Sequence, residues 1–150
     1  MRVFENVAAV AAAKGEQLGV SEWLTVDQDR IDRFADATGD HQWIHVDAER
    51  AAAGPFGTTI AHGYLTLSLI PALTQQMFTV QGVRMGVNYG TAKVRFPAPV
   101  PVGSRVRDTA VLLDVEEVPQ GVRLTVRHTI EIEGAAKPAC VADTLSLIVP

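Results

Sequence analysis

An acid and an imidazole stand five residues apart at Asp40 and His45, inside the run FADATGDHQWIHVDAERAAAGPFGTTIAHG that extends from Phe34 to Gly63. The run closes with Ala61-His62-Gly63, where a long apolar segment begins. The spacing predicts that Asp40 and His45 share a short non-helical connection, so that both can converge on one water molecule. The amide at the start of the following helix, at Gly63, is suited to hold a developing negative oxygen, and the missing side chain lets a substrate approach the backbone. Acid, imidazole and oxyanion donor together point to chemistry on a carbonyl compound.

The elements around this run are legible in outline. Residues 3–14 carry Phe4, Val7, Ala8, Val10 and Ala11 at helical spacing, with Gly15 as the stop. Leu18 to Val26 reads as a short strand or extended lead-in. Thr25 or Asp27 can cap a second helix whose stripe is Ile31, Phe34 and Ala35, and Gly39 ends it. Asp47 to Gly54 suggests one or two helical turns. From Gly63 to about Phe78 the chain is apolar nearly all round, which predicts one buried helix kinked by Pro71.

Beyond Gln81-Gly82 the character changes to strands. Val122, Leu124, Val126, His128, Ile130 and Ile132 alternate with polar residues, the pattern of a half-buried antiparallel strand. Val83–Phe96, Ser104–Val115 and Ala139–Val149 read as further strands. Helices first, then antiparallel strands with one buried helix, define an α+β chain in which the sheet curves around that helix.

Bulk properties narrow the possibilities. A length of 150 residues suits a single domain spanning 1–150. Apolar residues form 47% and charged residues 20%, a globular balance. The net charge is −4 with no basic run, so neither nucleic acid nor an anionic membrane is an expected partner. The most apolar window, Tyr64 to Leu73, is about half the roughly 20 residues of a membrane span, and the N-terminal segment lacks the apolar core of a signal peptide. The single cysteine, Cys140, fits a reducing compartment, and a cytoplasmic location is expected. Four histidines show no metal-ligand spacing, so no metal is expected. His41 reads as exposed, His128 as a core histidine on the apolar face of its strand, and Cys140 as a buried hydrophobe.

Phe34-Ala-x-x-Thr38-Gly39-Asp40, His45-x-Asp47, Ala61-His62-Gly63 and the later Val94-Arg95-Phe96-x-x-Pro99-Val100-x-x-Gly103 together resemble the MaoC-like, (R)-specific enoyl-CoA hydratase family of hot-dog proteins. The family pattern places Asn-Pro between the acid and the histidine. Here Gln42-Trp43 stands there, as in the branch related to nodulation protein N and mycobacterial (R)-hydratases, and the bulk of Trp43 bears on acyl preference. The resemblance implies reversible hydration of a trans-2-enoyl-CoA to the (R)-3-hydroxyacyl-CoA, with coenzyme A as part of the substrate and no separate cofactor. It implies Asp40 as base for the attacking water and His45 as its second holder and proton donor, or the reverse, with Gly63 as oxyanion donor. His62, beside the oxyanion glycine, is expected to position or to pack the helix start rather than to react. Tyr64, Leu65 and Leu69 can line an acyl tunnel or simply pack the core. Lys93 and Arg95 can meet the phosphates of coenzyme A or be ordinary exposed strand charges. A homodimer paired through its sheets is expected. A thioesterase of the same fold, or a non-catalytic acyl-CoA binder or partner subunit, are the competing functions; a partner subunit would not need the Asp40/His45 pair.

Overall fold

The structure is a computed structural model that describes all residues 1–150. The chain runs β1 (Arg2–Phe4), α1 (Val7–Ala12), β2 (Gln17–Val20), β3 (Leu24–Val26), α2 (Gln28–Thr38), α3 (Trp43–Val46), α4 (Ala48–Ala52), α5 (Gly63–Ser68), α6 (Ile70–Thr74), β4 (Phe78–Val80), β5 (Met85–Arg95), β6 (Ser104–Val118), β7 (Gly121–Ile132) and β8 (Cys140–Val149). Six strands form one antiparallel sheet in the order β2-β6-β7-β8-β5, with β3 pairing beside β2 on β6. This is the hot-dog fold, an α+β arrangement with α5 and α6 laid against the sheet.

The alternation read from β7 is realised. Leu124, Val126, His128, Ile130 and Ile132 are buried, while Arg123 and Glu131 form cross-strand ion pairs with Glu116 and Arg107. Such exposed pairs contribute only about 0.2–1 kcal/mol each, so the apolar face holds the sheet. Two core clusters share the load. One centres on Ile31, Leu65, Leu73, Val106 and Ile130, the other on Phe4, Val10, Leu112, Leu124 and Val126.

Three local expectations are corrected. The N-terminal helix is shorter than 3–14: Arg2–Phe4 instead pairs in parallel with β4, and α1 begins only after Asn6, whose side chain accepts the Ala9 N–H. A lone edge segment gains more from a strand partner than from a helical turn it cannot cap. The apolar stretch from Gly63 is two short helices rather than one, broken at Leu69 and followed by β4, not by helix to Phe78. Pro71 lies at the start of α6, where its missing N–H has no intrahelical partner to lose. Nor is that stretch buried all round, because Tyr64, Ser68, Pro71 and Ala72 face outward. Finally, His45 lies in one helical turn, α3, rather than on a wholly non-helical connection.

α2 delivers the acid. Asp27 caps it by accepting the Arg30 N–H at 2.9 Å, Ile31 and Ala35 bury its inner face, and Gly39 closes it with φ +81°. A left-handed residue at that position reverses the chain cheaply only as glycine. Asp40 emerges directly from that turn.

Candidate active site

His45 is 6% exposed, and its Nδ1 lies 2.7 Å from the carbonyl oxygen of Ile60. A carbonyl can only accept, so Nδ1 carries the proton and Nε2 presents a lone pair. The turn bearing His45 is tied down at several points. Gln28 donates to the His45 carbonyl at 2.7 Å and accepts from the Thr59 hydroxyl at 2.6 Å, and the Ile60 N–H donates to the Ile44 carbonyl at 3.0 Å. Gln28, Thr59 and Ile60 thus fix the ring from behind.

Asp40 is exposed at the surface, with its carboxylate accepting the Gln42 N–H at 3.3 Å. His62 holds it from below. The His62 ring is 2% exposed, and its Nε2 donates to the Asp40 carbonyl at 3.0 Å. The same ring stacks on His45, centroids 3.8 Å apart and planes at 25°, and packs against Phe34 at 4.9 Å. A carboxylate oxygen of Asp40 and a ring nitrogen each of His45 and His62 lie within 4.8 Å of one another. That gap accommodates one water bridging carboxylate and imidazole, at ordinary hydrogen-bond lengths of about 2.7–2.8 Å to each.

Burial pushes the His45 pKa below the ordinary imidazole value of 6.5, with His62 adding to the effect and the Ile60 bond and Asp40 opposing it. The imidazole is therefore neutral at neutral pH. Two consequences follow in the same direction. The unfolded chain takes up a proton at a higher pH than the folded one, so stability is lost as pH falls from 6.5 through the folded value. Activity that needs the Nε2 lone pair fails over the same descent. The acid limb of a kcat/KM profile should accordingly lie below pH 6.5; a limb above that value would contradict a neutral His45.

Gly63 is the first residue of α5, so its N–H has no carbonyl within the helix to bind. A Cβ at Gly63 would approach the Phe96 ring to 3.1 Å, so the bare backbone is what lets these two surfaces meet. Tyr64, one residue on, is 70% exposed and sets its ring edge-on to Phe96 at 6.3 Å. Of the other residues singled out by sequence, Trp43 packs against Gly54 and beneath the Arg50 guanidinium, 4.4 Å away, joining α3 to α4. Leu65 and Leu69 belong to the core cluster. Lys93 and Arg95 are exposed on β5 close to Asp143, which is itself bound in bidentate fashion by Arg127. His41 is exposed and paired with Asp36 at 2.8 Å, which raises its pKa. Cys140 is buried, and burial followed by the nearby Asp108 pushes its thiol up to about 11, so it is inert as a nucleophile. Sequence reasoning missed Gln28 and Thr59 as supports of the site, whereas Phe34 and Phe96 stood in the family motifs, and Phe34 in the stripe of α2 as well, without a role assigned to either.

The fold is of the hot-dog class, and the relatives that the chain matches make it a hydro-lyase. The chain belongs to the MaoC-like dehydratase family, whose MaoC like domain model matches residues 9–133. It is 64% identical over 146 residues to the 3-hydroxyacyl-thioester dehydratase Z of Mycobacterium tuberculosis, covering 97% of both chains. It is 48% identical to nodulation protein N of Rhizobium leguminosarum bv. viciae, over 95% of this chain and 91% of that one. Among solved structures, the (R)-hydratase of A. caviae superposes with a TM-score of 0.75 at 23% identity, covering 91% of this chain and 96% of that one.

Proposed function

We propose that this enzyme reversibly hydrates trans-2-enoyl thioesters of coenzyme A to (R)-3-hydroxyacyl thioesters, with Asp40 and His45 as the catalytic pair. The observation that carries this reading is a neutral His45 whose Nδ1 is committed to the Ile60 carbonyl and whose ring brings a nitrogen within 4.8 Å of an Asp40 carboxylate oxygen. The mycobacterial relative, named as a dehydratase of 3-hydroxyacyl thioesters, supports the reaction class.

The His45 tautomer favours one division of labour. Nε2 has a lone pair and no proton, so it takes the proton from water as the oxygen bonds to C3. The π electrons move toward the thioester oxygen, whose charge the Gly63 N–H holds. The imidazolium then returns that proton to C2, and Asp40 orients the water and stabilises the passing positive charge. Of the two divisions of labour left open by the sequence, Asp40 as the base would leave a neutral His45 with no proton at Nε2 to give. His62 acts as a positioning residue through the Asp40 carbonyl. All protons and electrons stay among water, the dyad and the thioester, so no cofactor is needed. A metal ion fits the trio poorly, because His62 Nε2 is engaged with the Asp40 carbonyl and the stacked rings keep their in-plane lone pairs in nearly parallel planes 3.8 Å apart. Lys93 and Arg95, on the strand that leads to Phe96, are suited to the phosphates of coenzyme A. No helix is long and apolar enough to cross a membrane.

Pairing into a homodimer belongs to the same proposal. β5 is an 11-residue sheet edge, hydrogen-bonded only to β8, with Met85, Val87 and Tyr89 exposed. A long apolar edge invites a second strand. Val87→Lys should convert a dimer to a monomer by light scattering; an unchanged dimer would place the interface elsewhere.

The reaction is tested by adding the protein to crotonyl-CoA and following the enoyl absorbance. Loss of absorbance without release of free thiol supports hydration. Thiol release from saturated acyl-CoA would instead indicate a thioesterase, and acyl-CoA binding with neither change would indicate a binding module.

A further inference from the structure

Gln28, the first residue of α2, makes three hydrogen bonds through one amide. Its Nε2 donates to the His45 carbonyl at 2.7 Å and to an Asp32 carboxylate oxygen at 2.9 Å, and its Oε1 accepts from the Thr59 hydroxyl at 2.6 Å. Carbonyls and carboxylates only accept, so both amide hydrogens are committed and the amide has one orientation. One side chain therefore grips both segments around the His45 ring: the turn α3, and residues 59–61, whose Ile60 carbonyl accepts from Nδ1 at 2.7 Å. Thr59 is 2% exposed, so its hydroxyl has little water to turn to if Gln28 is lost.

Residues 59–61 are anchored on their far side, where the Val102 N–H donates to the Thr59 carbonyl at 2.9 Å and the Ala61 N–H to the Val100 carbonyl at 2.8 Å. Besides the ring itself, two links join them to α3: the Ile60 N–H on the Ile44 carbonyl at 3.0 Å, and the Gln28 bridge from Thr59 to His45. A single backbone bond leaves a short turn free to pivot about it, and the Gln28 bridge is the second point that stops the pivot. α2 relates this bridge to the acid. Its 11 residues span about 16 Å at a rise of about 1.5 Å each, with the inner face buried through Ile31 and Ala35. Its first turn holds the imidazole turn, and Gly39 at its far end turns the chain into Asp40. Between them Phe34 packs on the His62 ring that stacks against His45. One helix thus sets the placement of both members of the pair.

We propose that Gln28 is a positioning residue of the hydration, acting with Thr59 to keep the His45 ring on the Ile60 carbonyl so that Nε2 stays unprotonated toward the attacking water. The inference rests on the Asp40/His45 reading of the site. With the bridge gone, α3 can pivot away from Ile60 and Nδ1 loses its acceptor. The neutral ring can then carry its proton at Nε2, the tautomer that cannot take one from water, because the partner of one ring nitrogen decides the state of the other. The Gly63 amide is not part of the bridge, so the loss falls on kcat rather than on KM.

The test joins turnover to a spectroscopic readout of the ring in Gln28→Met, Thr59→Val, Thr59→Ser and the double variant Gln28→Met/Thr59→Val. In Gln28→Met and Thr59→Val, kcat on crotonyl-CoA should fall about tenfold to a hundredfold at little change in KM, since a misplacement of about 1 Å costs up to about a hundredfold. Thr59→Ser keeps the hydroxyl and should restore turnover. The two side chains form one bridge, so the double variant should lose no more than the worse single one. Nitrogen NMR of histidine-labelled protein, with the His45 signals identified by their absence in His45→Gln, reads the tautomer directly at neutral pH. His45 should be protonated at Nδ1 alone in the wild type and Thr59→Ser, and should show a mixture of tautomers in Gln28→Met and Thr59→Val. Should Gln28→Met fold poorly, the two Thr59 variants read the same bridge from its other end. Wild-type kcat with an unchanged tautomer in Gln28→Met or Thr59→Val would overturn the proposal, as would losses that add in the double variant. Absence of hydration by the wild type would instead count against the reaction assigned to Asp40 and His45, with the tautomer comparison still deciding the role of Gln28.

Discussion

His45→Gln should lower kcat on crotonyl-CoA by about a hundredfold to ten-thousandfold, the range for losing a positioned acid–base group. That corresponds to about 2.7–5.4 kcal/mol of transition-state stabilisation at about 1.36 kcal/mol per decade. Glutamine keeps a hydrogen-bonding side chain in the pocket made by Ile60, His62 and Phe34, so the water can still be held. It cannot take a proton, so the loss should fall on kcat rather than KM. The acid limb of the pH profile should disappear with the imidazole, a readout that a merely structural role would not move. A variant within fivefold of the wild type, or one that keeps the limb, would remove His45 from the chemistry.

Gly63→Pro should be nearly as costly, with kcat falling about 10²–10³-fold, the effect of deleting one oxyanion donor. The backbone is unusually well suited to this test. Proline is tolerated at the first position of a helix, and His62 sits at φ −59°, ψ 138°, a conformation allowed before proline. The substitution therefore removes the N–H with little local strain apart from the approach to Phe96 at 3.1 Å. Gly63→Ala is the control. It meets the same ring yet keeps the N–H, and Phe96 is 42% exposed and able to shift. Equal losses in the two variants would assign the effect to crowding and not to the amide.

Much of this site was written in local sequence. Asp40 and His45 are separated by a turn whose start is marked by Gly39, so short-range chain geometry alone brings them together. β7 was legible because one buried face imposes a period of two on its side chains, and its neighbours followed from the same signal. What escaped notice depends on contacts remote in sequence. His128 reads as an ordinary core residue until β6 lays Asp108 beside it. The hold of His62 on the Asp40 carbonyl spans 22 residues and depends on the loop after α4 folding back. The break at Leu69 and the outward faces of Tyr64 and Ser68 were hidden because an apolar run carries no period to show which side meets solvent.

Asp40→Asn offers the most direct measurement. Asp40 is exposed, and Asn keeps the oxygen that accepts the Gln42 N–H, so fold and melting temperature should be unaffected. Initial rates of enoyl absorbance loss on crotonyl-CoA would be compared with the wild type at pH 7.5. Hydration by the wild type with a fall of at least about a hundredfold in Asp40→Asn is the predicted result. A variant that hydrates crotonyl-CoA at the wild-type rate would contradict the assignment of Asp40 and His45 as the catalytic pair.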